Sequence, residues 1–282
     1  MEAQRIPMLV AHRGYSAAYP ENTLLAIEKA FQCGACFIEF DVQISRDGIP
    51  VVIHDVALLR TTGVQGNVHA LSGAEITATV AGEPARFGDR FSNEKIPSLQ
   101  AVVDLLMQWP SRQAFVEIKR ASINHFGVTE VMQCIGAIVA SVSHQIIIIS
   151  FDARVLQQAR AMGLAQIGWV FDQWNPHVFD TLRSLEPDYA FADTTCVSDT
   201  ALVLECIAAG SGKNGAGNHG VDNELSVDDA FPVVQNMQWA VYTVDDAQAA
   251  LEWGDRGVAL VETNAIGDLL QHPLLKKRCC YD

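Results

Sequence analysis

Short apolar runs rich in β-branched residues recur along the chain and alternate with stretches of helical period. The spacing predicts strands at Met8–Ala11, Cys36–Asp41, Ala114–Ile118, Ile146–Ser150, Gln166–Phe171, Tyr189–Ala192, Trp239–Thr243 and Val258–Glu262. Helical patterns fall between and after them, at Thr23–Cys33, Leu99–Gln108, Thr129–Ser141, Ala153–Met162, Pro176–Ser184, Asp199–Ala209, Val227–Asn236 and Asp246–Trp253. Strand–helix units repeated in this way, over about the 250 residues usual for the fold, predict a (β/α)8 TIM barrel. An open doubly wound sheet is the alternative, and the lack of a midpoint break favours the barrel.

Two interruptions break the rhythm. Residues 55–97 lack clean period and hold Gly, Ser, Thr and Asn clusters, so they read as a small insertion within a single domain spanning 1–282. Residues 210–224 read as a flexible Gly-rich loop. The loop spells Gly215-x-Gly217-x-x-Gly220, but without a strand before it the dinucleotide fingerprint is a false positive.

Near the N-terminus, Cys36–Ser45 and Pro50–His54 flank Asp47-Gly48, a strong hairpin signal because a type I′ turn needs positive φ at both central residues. If those two residues form the loop, Asp41 lies opposite His54, and Glu39 shares their face by the period of two. A one-residue slip would part them.

Composition limits the partners. The 282 residues carry a net charge of −14, which argues against nucleic-acid and anionic-membrane binding. With 49% hydrophobic residues the chain can bury a sizeable core. No apolar run approaches the roughly 20 residues of a membrane span. No leader pattern precedes the first strand, so a soluble, cytoplasmic protein is expected, with no membrane insertion. The seven cysteines suggest no even disulfide framework; Cys33-x-x-Cys36 sits at a helix end where a redox role is disfavoured, and Cys279-Cys280 read as incidental thiols.

The chemistry concentrates at the predicted strand ends, where a barrel builds its active site. His12-Arg13 follows the first strand, Glu39 and Asp41 the second, His54 its hairpin arm, and Glu117 with Lys119 the next. Glu39, Asp41 and Glu117 make an all-oxygen set suited to one divalent cation, Mg²⁺ or Ca²⁺ with Mn²⁺ also possible. The same carboxylates could instead pair with Arg13 and Lys119 as a structural ion network. His12 and His54 suit an acid–base pair, while Arg13 offers a fork and Lys119 a point charge for phosphate. A phosphodiester fits the whole set.

His12-Arg13-Gly14, Pro20-Glu21-Asn22-Thr23, Glu39-x-Asp41, Asp47-Gly48, His54-Asp55, Arg60-Thr61-Thr62-Gly63, Ile96-Pro97-Ser98-Leu99, Glu117-x-Lys119 and Ser150-Phe151-Asp152 together resemble the glycerophosphodiester phosphodiesterases. The resemblance implies a small-molecule glycerophosphodiester as substrate and hydrolysis to sn-glycerol 3-phosphate and an alcohol. It implies His12 and His54 as the acid–base pair, Glu39, Asp41 and Glu117 as metal ligands, and Arg13 and Lys119 as phosphate holders. It further implies that the metal engages a glycerol hydroxyl, which attacks phosphorus or leaves that step to water. Phe151 and Tyr242 are candidate substrate-pocket residues. The chain departs from the family pattern at Tyr242-Thr243-Val244-Asp245, where Trp-Thr-Val-Asn is usual, and at Thr263-Asn264, where Thr-Asp is usual. Lysophospholipase D-like action on lysolipids and a non-catalytic glycerophosphodiester-binding barrel are the alternatives.

Overall fold

The structure is a computed structural model that describes residues 4–198 and 237–280. Eight parallel strands close a barrel: β1 (Met8–His12), β2 (Phe37–Ile44), β4 (Gln113–Ile118), β5 (Ile146–Ser150), β6 (Ile167–Phe171), β7 (Tyr189–Asp193), β8 (Gln238–Tyr242) and β9 (Leu260–Thr263). They pair in sequence order, and β1 closes the ring on both β2 and β9. The short β3 (Pro50–Val52) adds antiparallel to β2. The (β/α)8 expectation therefore holds. The predicted helices at Asp199–Ala209 and Val227–Asn236, and the Gly-rich loop at 210–224, lie outside the described residues.

Helices form where the period and the caps agree. Thr23 accepts a hydrogen bond from the Ala26 amide and starts the helix Leu24–Gln32, which buries Ala26, Ile27, Ala30 and Phe31 on one face. Ser98 caps Leu99–Leu106 in the same way. Such faces cover the outside of the barrel.

The inside is filled by the opposite set of strand residues, among them Val10, Phe115, Ile149, Ala240 and Leu260. Side-chain alternation carries the same direction onward: His12, Glu117, Phe151, Tyr242 and Glu262 each lie two residues beyond an inward-facing residue, and Glu39 and Asp41 come after Phe37. All stand at the C-terminal end of the barrel.

The hairpin register differs from the sequence expectation by one. Val42 pairs with Val52 and Ile44 with Pro50, and Ser45 N–H donates to Ile49 O, so Arg46-Asp47-Gly48 form a three-residue loop. Gly48 takes φ +78°, the left-handed closing residue of such loops. Ile53, not His54, thus faces Asp41, donating its N–H to Asp41 O. His54 still reaches the barrel mouth because the chain leaves the strand after Val52.

Residues 55–97 carry short helices at Leu59–Thr62, Gly73–Ala78 and Pro84–Phe87 over a small core of Val51, Ile53, Leu58, Val68, Ile76, Ala81 and Ile96.

The cysteine expectation is also corrected. Cys36, at the foot of β2, is disulfide-bonded to Cys280, 244 residues away, while Cys33 and Cys279 are free thiols. Sequence distance hid this pair; barrel closure brings the C-terminal segment back beneath β1 and β2. No single helix among the described residues is long and apolar enough to cross a membrane.

Candidate active site

The turn after β1 is built around Gly14. Its φ is +78°, and a β-carbon there would lie 2.5 Å from the Ala26 carbonyl carbon, so the helix start can approach only a glycine. Arg13 itself is left-handed at φ +57°. Its Nε lies 3.1 Å from Asp41 Oδ2, its NH1 donates to Glu21 Oε1 at 3.0 Å, and its backbone N–H donates to Glu39 Oε2 at 3.1 Å.

Glu39, Asp41 and Glu117 converge, each offering an oxygen within 4.8 Å of the others. Lys119 Nζ lies 2.7 Å from Glu117 Oε1 and 3.1 Å from Asp41 Oδ1. Asn22, also left-handed at φ +58°, clasps Asp41 through both ends of its amide: Nδ2–H donates to Oδ2 and Oδ1 accepts from the Asp41 N–H. The predicted cations therefore do pair with the predicted carboxylates.

Charge and hydrogen bonding show that these pairs do not complete the site. Glu39, Asp41, Glu117 and Glu262 gather around Arg13 and Lys119, and Glu21 is shared between Arg13 and Arg60, five acids against three bases. If all are ionised, two negative charges remain, the complement of a divalent cation. Glu39 Oε1 is buried with no hydrogen-bond partner among the described residues, an arrangement costly without a ligand.

The titration behaviour records the same crowding. Burial and the charges of Asp41, Glu262 and Glu117 push the Glu39 carboxyl well above the usual range, against the pull of Arg13. Burial also raises Glu117, despite Lys119. Burial would raise Asp41, but Lys119, Arg13 and His54 outweigh it and hold that carboxyl well below its ordinary value. The donor set thus fits a hard cation: all-oxygen, buried, under-compensated and partly orphaned.

His12 is held from both sides of its ring. Nδ1 lies 2.8 Å from Asn264 Oδ1, and Nε2 lies 3.3 Å from Glu262 Oε1 and 3.9 Å from Glu39 Oε2. Burial, then the charge of Arg13, lowers His12 to about 4, whereas burial, then the charge of Glu117, pushes Glu262 up to about 8. His54 contacts Asp55 through Nδ1 at 2.6 Å, and Asp55 is itself held by Arg60 Nε at 2.6 Å.

Phe151 and Tyr242 line the same end. Arg120 sits 4.7 Å over the Phe151 ring, and Tyr242 Oη donates to Phe171 O at 2.9 Å.

Several groups at the site lie outside the set predicted for it: Glu262, Glu21 and Asn22 beside the carboxylates, and Asn264, Asp55 and Arg60 behind the histidines. Glu262 is the acid of the short strand Leu-Val-Glu-Thr, two residues beyond the inward-facing Leu260, and that parity is its signal. Glu21 and Asn22 lie in the Pro20–Thr23 motif, but only the fold shows what they hold.

Fold and site together define a TIM-barrel phosphodiesterase. Residues 12–199 match the glycerophosphoryl diester phosphodiesterase family. A glycerophosphodiester phosphodiesterase of Caldanaerobacter subterraneus subsp. tengcongensis is 35% identical over 190 residues, 64% of this chain and 76% of its own length. Another from Bacillus altitudinis is 37% identical over 122 residues, 43% of this chain and 49% of its own. Among solved structures, a phosphodiesterase of Oleispira antarctica in complex with the product sn-glycerol-3-phosphate superposes with a TM-score of 0.74. That match covers 94% of this chain and 96% of the other at 22% identity, a likeness of fold. The chain belongs to the glycerophosphoryl diester phosphodiesterase family and is an enzyme of that class.

Proposed function

We propose that this chain hydrolyses small glycerophosphodiesters to sn-glycerol 3-phosphate and an alcohol, with His12 and His54 as the acid–base pair and Glu39, Asp41 and Glu117 holding one divalent cation, Mg²⁺ or Ca²⁺. The observation that carries the reading is the convergence of these groups on one barrel mouth around a buried, unpartnered Glu39 oxygen. We read residues 1–282 as a single domain with 55–97 as its insertion. A cytoplasmic setting, expected from the sequence, sits at odds with the Cys36–Cys280 bond, because reducing compartments keep such thiols open.

When bound, the cation supplies Lewis-acid stabilisation of phosphoryl oxygens. Arg13 and Lys119 add a fork and a point charge for the same oxygens, once drawn from their carboxylate partners. The two histidines are not equivalent. His12 is partly buried and held neutral, with a neutral amide at Nδ1, so its Nε2 lone pair suits a base that takes the proton of the attacking hydroxyl. His54 has a carboxylate at Nδ1, a counter-charge for the positive ring, so it suits the acid that protonates the departing alkoxide. As the new P–O bond forms and the old one breaks, one proton leaves the nucleophile for His12 and one passes from His54 to the alcohol.

The test is glycerol 3-phosphate release from glycerophosphocholine, glycerophosphoethanolamine and glycerophosphoglycerol, in Mg²⁺, in Ca²⁺ and in chelator, for wild type, His12→Ala and His54→Ala. Cation-dependent release lost in both variants supports the reading. Normal turnover in either variant removes that histidine from the acid–base pair.

A further inference from the structure

We infer that Asp245 and Asn264 are positioning residues that lock His12 into the tautomer with hydrogen on Nδ1, so that the Nε2 lone pair faces the barrel mouth beside Glu262 and Glu39. This rests on the reading of His12 as the base. Neither residue touches the carboxylate trio; both act through the imidazole.

The assignment comes from donor and acceptor arithmetic. An ionised carboxylate can only accept. Asp245 Oδ2 lies 2.9 Å from Asn264 Nδ2, so that end of the amide is the NH2 donating to Asp245. The other end, Oδ1, is then a carbonyl oxygen and can only accept. It faces His12 Nδ1 at 2.8 Å, so Nδ1 must carry the hydrogen. Ser16 Oγ lies 3.0 Å from the same oxygen and 2.7 Å from His12 O, one proton between two acceptors, so Asp245 alone sets the polarity of the amide. A flipped amide would instead aim NH2 at Nδ1, place the hydrogen on Nε2 and block that nitrogen as a base.

The pair is fixed on its own account. Asp245 Oδ1 accepts from the Asn264 backbone N–H at 2.7 Å and from Thr263 Oγ1 at 2.9 Å. Val244 N–H donates to Glu262 O, and Ala17 N–H donates to Asn264 O. The ends of β8 and β9 are thus laced together by three acceptor bonds on one otherwise exposed aspartate. A residue needed only for folding has no reason to orient an amide at the base. The geometry makes a chain of carboxylate, amide and imidazole, in which the charge sits two hydrogen bonds from the ring and so polarises the amide without forming an ion pair with His12.

The experiment combines ¹⁵N chemical shifts of the His12 ring with steady-state kinetics. The wild type, Asp245→Asn, Asn264→Asp and the double exchange Asp245→Asn/Asn264→Asp are compared, with thermal melts for each. In the wild type the ring nitrogens should report Nδ1–H. Asp245→Asn, which frees the amide to flip, should shift His12 toward Nε2–H and lower kcat at least tenfold with KM within about twofold. The double exchange restores an acceptor at 264 and a donor at 245, and should recover the tautomer and most of kcat. An Nε2–H ring in the wild type overturns the inference without any variant. So does Asp245→Asn with unchanged tautomer, or a double exchange that recovers the melting temperature but neither tautomer nor kcat. If no phosphodiester is turned over by any form while the tautomer behaves as stated, the functional reading fails and the positioning stands.

Discussion

Arg60 grips Glu21 with both prongs of its guanidinium, NH1 donating to Oε2 and NH2 to Oε1, each at 2.7 Å. The two residues stand 39 apart, one in the excursion after β3 and the other in the turn before the first helix. Arg60 Nε also holds Asp55, the partner of His54, so one side chain ties His54 to the segment that carries Arg13's other carboxylate. Bidentate geometry makes Arg irreplaceable by Lys here. Arg60→Lys should therefore lower kcat by roughly tenfold, the scale on which misplacement of a supporting shell reduces turnover, with a smaller change in KM. Kinetics on the preferred substrate check this; an unaltered kcat would show that Asp55 and Glu21 hold their places unaided.

Removing a carboxylate from the trio should weaken cation binding before it unfolds the protein. Glu39→Gln keeps the shape but removes charge from the side chain with the orphaned oxygen. Calorimetric titration with Mg²⁺ or Ca²⁺ should show affinity reduced by tenfold or more. Affinity equal to wild type would place the cation elsewhere.

Stability without cation should fall as pH rises. The folded-state value of Glu262, about 8, lies above its ordinary 4.5. A raised acid stabilises the fold fully below the lower value and loses that contribution as pH climbs through the upper one. Asp41, depressed by Lys119 and Arg13, acts oppositely, but its window lies lower, below its ordinary 3.8. His12, lowered from 6.5 to about 4, offsets Glu262 between those two values, so the melting temperature in chelator should decline chiefly from about pH 6.5 to about pH 8, and Glu262→Gln should flatten the decline. A flat wild-type profile would mean that Glu262 is ionised throughout.

The Cys36–Cys280 bond closes nearly the whole chain, so in the loop-entropy picture it restrains the unfolded state strongly. Cys280→Ser, or a reductant with the wild type, should lower unfolding stability by about 2–5 kcal/mol. The bond lies at the foot of β2, whereas the candidate site lies at the opposite end, so kcat at low temperature should hold. Paired denaturant melts and kinetics decide the matter; equal stability with and without the bond would remove it as a fastener.

The barrel and most of its mouth were legible in the order of residues, because both depend on local rules. Alternation of side chains is a property of every strand, so Glu39, Asp41, Glu117 and His12 could be assigned to strand ends from spacing alone. Helical period likewise set the starts at Thr23 and Leu99, within a residue of the observed Leu24 and Leu99. The rest waited on the folded chain, and in each case the deciding contact joins distant parts of it or turns on a single dihedral. Asp47 does not take the positive φ that a type I′ turn needs, so a three-residue loop ending at the left-handed Gly48 replaces the two-residue one and moves Asp41 opposite Ile53. Closure of β9 on β1 brought Glu262 and Asn264 against His12, across some 250 residues, and carried Cys280 to Cys36. A period along the chain tells which way a side chain points, but what it meets there depends on which strands become neighbours, and only the closed barrel fixes that.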